Sequence, residues 1–113
     1  MFTTKNDEGY YPAVSGIKLK TLVHGQKTLM AGFHLAKDSL LPPHSHPHEQ
    51  TGYLVSGRMR MTIDGEQLDA TAGASWCIPA EALHGAEILE DAVAIEIFSP
   101  VRPDYLPTKS RQT

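Results

Sequence analysis

The sequence predicts an all-β domain, and three observations lead to it. Nine glycines and eight prolines are scattered from Gly9 to Pro107. The segments between them are short and mostly alternate apolar with polar residues. No window of helical length carries an apolar stripe flanked by caps, so no substantial helix is expected. Ile17 to Val23 puts Ile17, Leu19 and Thr21 on one face and Lys18 and Lys20 on the other, the period of a half-buried strand. Lys27 to Leu35 is the next candidate, and Tyr53 to Val55 is a short apolar segment. Arg58 to Ile63 alternates clearly, with Met59, Met61 and Ile63 together, and runs through Asp64-Gly65 into Glu66 to Leu68. Asp-Gly between strand-like segments signals a type I′ hairpin, whose two central residues both need positive φ. Gly73 to Ile78, a segment around His84 to Ile88, and Ala92 to Phe98 complete a set of about eight short strands, the close spacing of a sandwich or barrel. Pro100, Pro103 and Pro107 make the stretch from Val101 to Thr113 an extended arm, anchored where Tyr105 and Leu106 find a groove.

Composition bounds the function. With 113 residues, 41% of them apolar, the chain makes one domain. A domain this size hides only roughly two-thirds of its unfolded surface, so a partner subunit or a bound ion is expected to support it. The net charge is -3 and no block of like sign occurs, which argues against nucleic acid and against anionic membrane as partners. The single cysteine, Cys77, sits between Trp76 and Ile78 and reads as a small buried hydrophobe with no internal disulfide to form. The first ten residues are too polar for the apolar core of a signal peptide, and a reducing, cytoplasmic setting is the expectation.

The histidines are the most informative feature. Of six, three lie in Pro42 to Gln50, as His44, His46 and His48, and a fourth, His84, follows Pro79. On an extended segment His44 and His46 face the same way, so both imidazoles can reach one ion at about 2.1 Å. His48 and Gln50 share that parity, but a straight strand from 44 to 50 would span roughly 20 Å, too far for one ion. Pro47 to Glu49 must therefore turn the chain if Gln50 is to return beside His44 and His46, which leaves His48 at the turn, facing solvent. Exposed histidines in a polar loop are the plainer reading of an isolated His-x-His. Here Pro42-Pro43 stiffens the approach and Tyr53 to Val55 anchors the departing strand, framing that a loop without a task does not need. His24 and His34 each stand alone and read as structural.

These residues resemble two motifs of a known family. His44-x-His46-x3-Gln50-x6-Gly57 resembles the first cupin motif, and Gly73-x5-Pro79-x4-His84 the second, over residues from about 35 to 100. Gln50 stands where most members carry Glu, Glu81 where a Gly usually follows the Pro, and Ile88 where an Asn sometimes follows the His. The resemblance implies a jelly-roll (RmlC-like) β-barrel holding a divalent metal. It also implies a single cupin domain over 1–113 with a C-terminal arm at 101–113. Within the cupins, the phrase from His44 to Gln50, with Tyr53, Gly57 and the run from Glu96 to Asp104, is similar to the KdgF-type proteins of pectin and alginate catabolism.

That likeness implies ring opening of 4,5-unsaturated monouronates to 4-deoxy-5-keto uronates. It implies a metal held by His44, His46, Gln50 and His84, with Glu96, Phe98 and Arg102 as the acid, the aromatic and the arginine of the active site, and a homodimer. Glu96 stands where that family usually has Asp. Three imidazoles and an amide oxygen leave the ion's charge uncompensated, which makes it a stronger Lewis acid, and the mixed N and O set suits Zn, Ni, Mn, Fe or Co. Glu49 is the alternative oxygen ligand. In the implied roles, Arg102 pairs with the substrate carboxylate, Glu96 transfers a proton and Phe98 forms an apolar wall. Two other readings fit the same motifs: another cupin metalloenzyme such as a dioxygenase, and a non-catalytic module that binds a sugar or a small acid.

Overall fold

The computed structural model describes residues 1–106. Eight strands run in the order β1 (Tyr11–Val14), β2 (Ile17–His24), β3 (Leu29–Leu35), β4 (Leu40–His44), β5 (Glu49–Ile63), β6 (Glu66–Thr71), β7 (Ser75–Ile78) and β8 (His84–Ser99), followed by a 3-10 turn at Pro103–Tyr105. The expected alternation holds from Ile17 to Leu19, with Ile17 and Leu19 buried and Lys18 exposed, and gives way to uniform half-burial from Lys20 to Val23, where the register with β3 shifts. The Asp64-Gly65 turn has positive φ at both residues, 48° and 84°, as the hairpin between β5 and β6 requires.

Two elements are longer than periodicity suggested. Tyr53 to Val55 and Arg58 to Ile63 belong to the single strand β5, and His84 to Ile88 and Ala92 to Phe98 to the single strand β8. Both bend midway, where their mutual register shifts between Leu54 and Met59. Such irregularities bend a strand without ending it, so a break in alternation mimics a turn. The bend lets each strand serve two neighbourhoods. One half of β5 pairs with β7 and the other with β6, while β8 pairs with β3 along one stretch and with β4 along the other. The sheet rolls over on itself in the jelly-roll manner, with β1 and β6 ending the pairing path. One buried cluster, including Leu19, Leu29, Leu54, Met61, Ile88 and Phe98, fills the interior.

Gly57 makes the bend possible. Its φ is +87°, and a Cβ there would overlap the Asp91 carbonyl and Ala92. Glu81 has φ +69° where glycine is the residue suited to that conformation, and its N–H donates to the His46 carbonyl at 2.8 Å.

Three expectations are corrected. Cys77 is exposed, because inward parity on β7 falls to Trp76 and Ile78. His48 is half-buried, its ring centroid 5.5 Å from that of His46, because the turn folds it back onto the cluster. The arm past Val101 is not simply extended: it makes the 3-10 turn, and Tyr105 packs on Phe33 and Phe98 while Thr21 donates a hydrogen bond to the Tyr105 carbonyl. The part of that arm beyond Leu106 lies outside the described residues. None of the helices among those residues is long and apolar enough to cross a membrane.

Gly57→Ala is expected to lower stability by about 2 to 4 kcal/mol, combining a strained φ with backbone overlap. Gly65→Ala, which has positive φ but open space around it, is expected to cost about 1 kcal/mol. Denaturant titration of the two variants checks the ranking.

Candidate metal centre

The sheet register brings the two histidine motifs together. His44, at the end of β4, stands directly opposite His84, at the start of β8. Their ring centroids lie 4.2 Å apart, and His46 is 4.9 Å from His84 and 5.8 Å from His44. The candidate ligand atoms of His44, His46 and His84 lie within 4.8 Å of one another. Gln50, the second residue of β5, is buried, and Phe98 and Ile78 flank it on β8 and β7. Glu49, one residue earlier, is exposed.

Backbone carbonyls fix which nitrogen each imidazole presents. His44 Nδ1 lies 2.9 Å from the Pro42 carbonyl, His46 Nδ1 3.0 Å from that of His48, and His84 Nδ1 2.9 Å from that of Ala82. A carbonyl only accepts, so each Nδ1 carries the proton and each Nε2 keeps its lone pair. Burial, and secondarily the Arg102 charge, outweigh the contacts with Gln50 and the His48 carbonyl and leave the His46 pKa below the ordinary histidine value; burial does the same for His84. At His46 and His84 the neutral imidazole is thereby favoured over the charged one.

The donor set fits a cation. His84 Nε2 is buried with no hydrogen-bond partner among the described residues. His46 Nε2 and Gln50 Oε1 face each other at 3.1 Å, and with the proton on Nδ1 both are lone-pair atoms that repel unless positive charge lies between them. Two ligands held at about 2.1 Å from one ion, at roughly a right angle, stand about 3 Å apart. His44, His46 and His84, with Gln50 beside them, could hold one divalent ion.

The Gln50 amide also hydrogen-bonds Glu96. With its oxygen toward His46, its NH2 is the end that meets the carboxyl. Glu96 is 7% exposed, and its second hydrogen bond comes from Trp76 Nε1, which donates to Oε2 at 3.2 Å. Burial raises the Glu96 pKa to about 8, against the smaller opposing effect of those two donors.

Phe98 is 1% exposed and lies edge-on to His46, their centroids 5.9 Å apart. Arg102 stands over two rings, its guanidinium carbon 4.0 Å from the Tyr105 centroid and 5.1 Å from that of Phe98. Asp104 takes one edge of the fork, with Nε at 3.2 Å and one terminal nitrogen at 2.8 Å. Burial pushes the Asp104 carboxyl up, but the hydrogen bonds and charge of Arg102 outweigh it and hold the pKa down. Burial pushes the Tyr105 phenol up to about 12, so it stays protonated. Sequence reasoning assigned no site role to Trp76, Asp104 or Tyr105. For Trp76 no local signal existed, because its meeting with Glu96 depends on pairing across three strands.

The fold and site define a class. The Cupin domain family model matches residues 33–99, and the chain belongs to the cupin family. The pectin degradation protein KdgF of Dickeya dadantii is 33% identical over 93 residues, covering 80% of this chain and 84% of that protein. The solved structure of KdgF from a Halomonas species superposes with a TM-score of 0.82 at 30% identity, over 86% of this chain and 90% of the other. An RmlC-like cupin from Shewanella frigidimarina superposes with a TM-score of 0.87 at 27% identity, over 93% and 95%. The H2HPP isomerase of Bacillus subtilis is 38% identical over 75 residues, 64% of this chain but 30% of that protein.

The raised pKa of Glu96 has a sign in stability. In the metal-free protein the folded state binds a proton that the unfolded chain releases from about pH 4.5 upward, so this group's contribution is present at low pH and is lost as pH rises through about 8. The lowered histidines act oppositely, their contribution fading as pH falls below about 6.5. Glu96→Gln removes the first effect alone. The stability of that variant relative to the parent is expected to rise between pH 5 and 8, by on the order of a few kcal/mol, and then level off. Thermal melts with chelator across this range measure it.

Proposed function

We propose that the protein is a metal-dependent enzyme that opens the ring of 4,5-unsaturated monouronates, giving 4-deoxy-5-keto uronates. The observation that carries this reading is the line of contacts from His46 through Gln50 to Glu96, which sets a buried proton-carrying group beside a site suited to a cation. Relationship to a pectin degradation protein supports the substrate class. In this reading His44, His46, His84 and Gln50 hold one divalent transition metal, which supplies Lewis acidity toward substrate oxygens when bound.

The chain's own residues do the rest. Asp104 occupies one edge of the Arg102 fork, and the end-on pair of terminal N–H groups is left to pair with the substrate carboxylate. The Phe98 and Tyr105 rings beneath the guanidinium fix its plane and keep water from the apolar side. The reaction is a net isomerisation. As the bond between C1 and the ring oxygen breaks, the C1 hydroxyl loses its proton and becomes the aldehyde; the enol left at C5 becomes the ketone when C4 gains a proton. Glu96, kept protonated by burial near neutral pH, delivers the proton to C4 from its carboxyl oxygen, and the proton that leaves the C1 hydroxyl restores the carboxyl.

Purified protein loaded with Zn, Ni, Mn, Fe or Co in turn is expected to speed the loss of the substrate's conjugated ultraviolet absorbance. His46→Ala loses both bound metal and rate, while Glu96→Gln keeps the metal and loses about a hundredfold in kcat. A fully loaded protein that leaves the decay unchanged, yet melts higher with uronate, is a binding module and not this enzyme.

We also infer a homodimer. The outward face of β3, β8 and β5 carries Met30, Ile95, Ile97, Tyr53 and Val55, with Tyr53 and Val55 each 50% exposed, and apolar surface of this kind marks an interface. Light scattering after gel filtration is expected to report twice the chain mass, and Ile95→Lys to halve it. A parent protein that runs as a 12.4 kDa monomer overturns this.

A further inference from the structure

Trp76, Gly52 and Glu96 stand opposite one another on the adjacent strands β7, β5 and β8. Directly opposed residues share a face, and residues two strands apart are separated by about 10 Å of backbone, so a side chain in the middle keeps the outer two from meeting. Position 52 has no side chain, and the indole crosses it to reach Glu96 Oε2 at 3.2 Å. A Cβ at Gly52 would overlap Trp76 Nε1 and Cε2 and Glu96 Oε2. The backbone gives no other reason for glycine here, since Gly52 is absent from the glycines with positive φ. On the other flank of Glu96 stands Ala31, fully buried and without a polar group. Among the described residues the carboxyl is therefore steered by Gln50 from one side and by Trp76 from the other.

We propose that Trp76 is a positioning residue whose indole N–H, admitted through the gap at Gly52, fixes the Glu96 carboxyl beside the histidine cluster. The inference rests on the ring-opening reading for its catalytic consequence and on geometry alone for the pairing. A glutamate carries one more rotatable bond than an aspartate, and a second fixed donor restrains that freedom. The indole thus suits the longer acid: a carboxyl one methylene shorter would draw back from it.

Trp76 is the chain's one tryptophan, so its indole N–H gives a single, assignable resonance in a nitrogen–proton correlation spectrum of the full-length, metal-loaded protein. In Glu96→Ala that resonance is expected to move upfield toward the position of a free indole. In Trp76→Phe, which keeps an aromatic ring and loses only the donor, kcat is expected to fall about tenfold while KM stays within about twofold and bound metal is unchanged. Gly52→Ala is expected to give both effects; if it does not fold, Trp76→Phe carries the kinetic test. An indole resonance unmoved by Glu96→Ala overturns the pairing, and a Trp76→Phe enzyme with parental kcat overturns the positioning role. If the parent protein turns over no unsaturated uronate, the ring-opening reading has failed, and the indole resonance alone decides the pairing.

Discussion

The site depends on three hydrogen bonds between imidazoles and the backbone. Pro42, His48 and Ala82 each present a carbonyl to an Nδ1 two residues away. Local chain geometry thereby chooses the tautomer of all three rings and leaves three Nε2 lone pairs to share one small volume. Without a cation that volume is unfavourable, since His84 Nε2 has no partner among the described residues and His46 Nε2 faces an amide oxygen. The folded chain holds this strain because β4, β5 and β8 position the rings by their ladders, and a ladder cannot relax at one residue alone.

Neutral donors have a consequence one step out. A carboxylate ligand would offset part of an ion's charge, whereas an amide oxygen would leave it whole, and the Glu96 carboxyl lies beyond the amide. Gln50 links the two, its oxygen toward the histidines and its NH2 toward Glu96. Burial raises the Glu96 pKa, and the carboxyl shares the inward face of the rolled sheet with Phe98 on its own strand and Ala31 opposite. Arg102 is prepared in a different way. Its plane is set by two aromatic faces and its outer edge by Asp104, so the donors that remain open point in a fixed direction.

Much of this was legible in the residue order because the underlying physics is local. Alternation in Ile17 to Val23 and Arg58 to Ile63 gives half-buried strands, Asp64-Gly65 gives the turn between β5 and β6, and two-residue spacing puts His44 and His46 on one side of an extended chain. The same parity rule allowed Gln50 to return beside them only if Pro47 to Glu49 turned the chain, and the family resemblance, not the rule, singled out Gln50. Resemblance to the cupin motifs supplied the pairing with His84, which no local rule gives. Parity alone did not say which face of β7 looks inward, so Cys77 was placed inside and Trp76 was given no role.

Strand register is what the sequence by itself left open. Leu54 to Met59 breaks the alternation, and only the tertiary structure determines that β5 continues through it, bent at Gly57 against Ala92. That same register sets Trp76, Gly52 and Glu96 in one row and His44 opposite His84. Residues far apart in sequence meet there because pairing energy is summed over whole strands, and a slip of one position would turn every buried side chain outward. The residue order determined which chemistry the chain carries and which segments are extended. The tertiary structure decided which of those groups touch, because contact across strands follows the register of the whole sheet and not the spacing within any one of them.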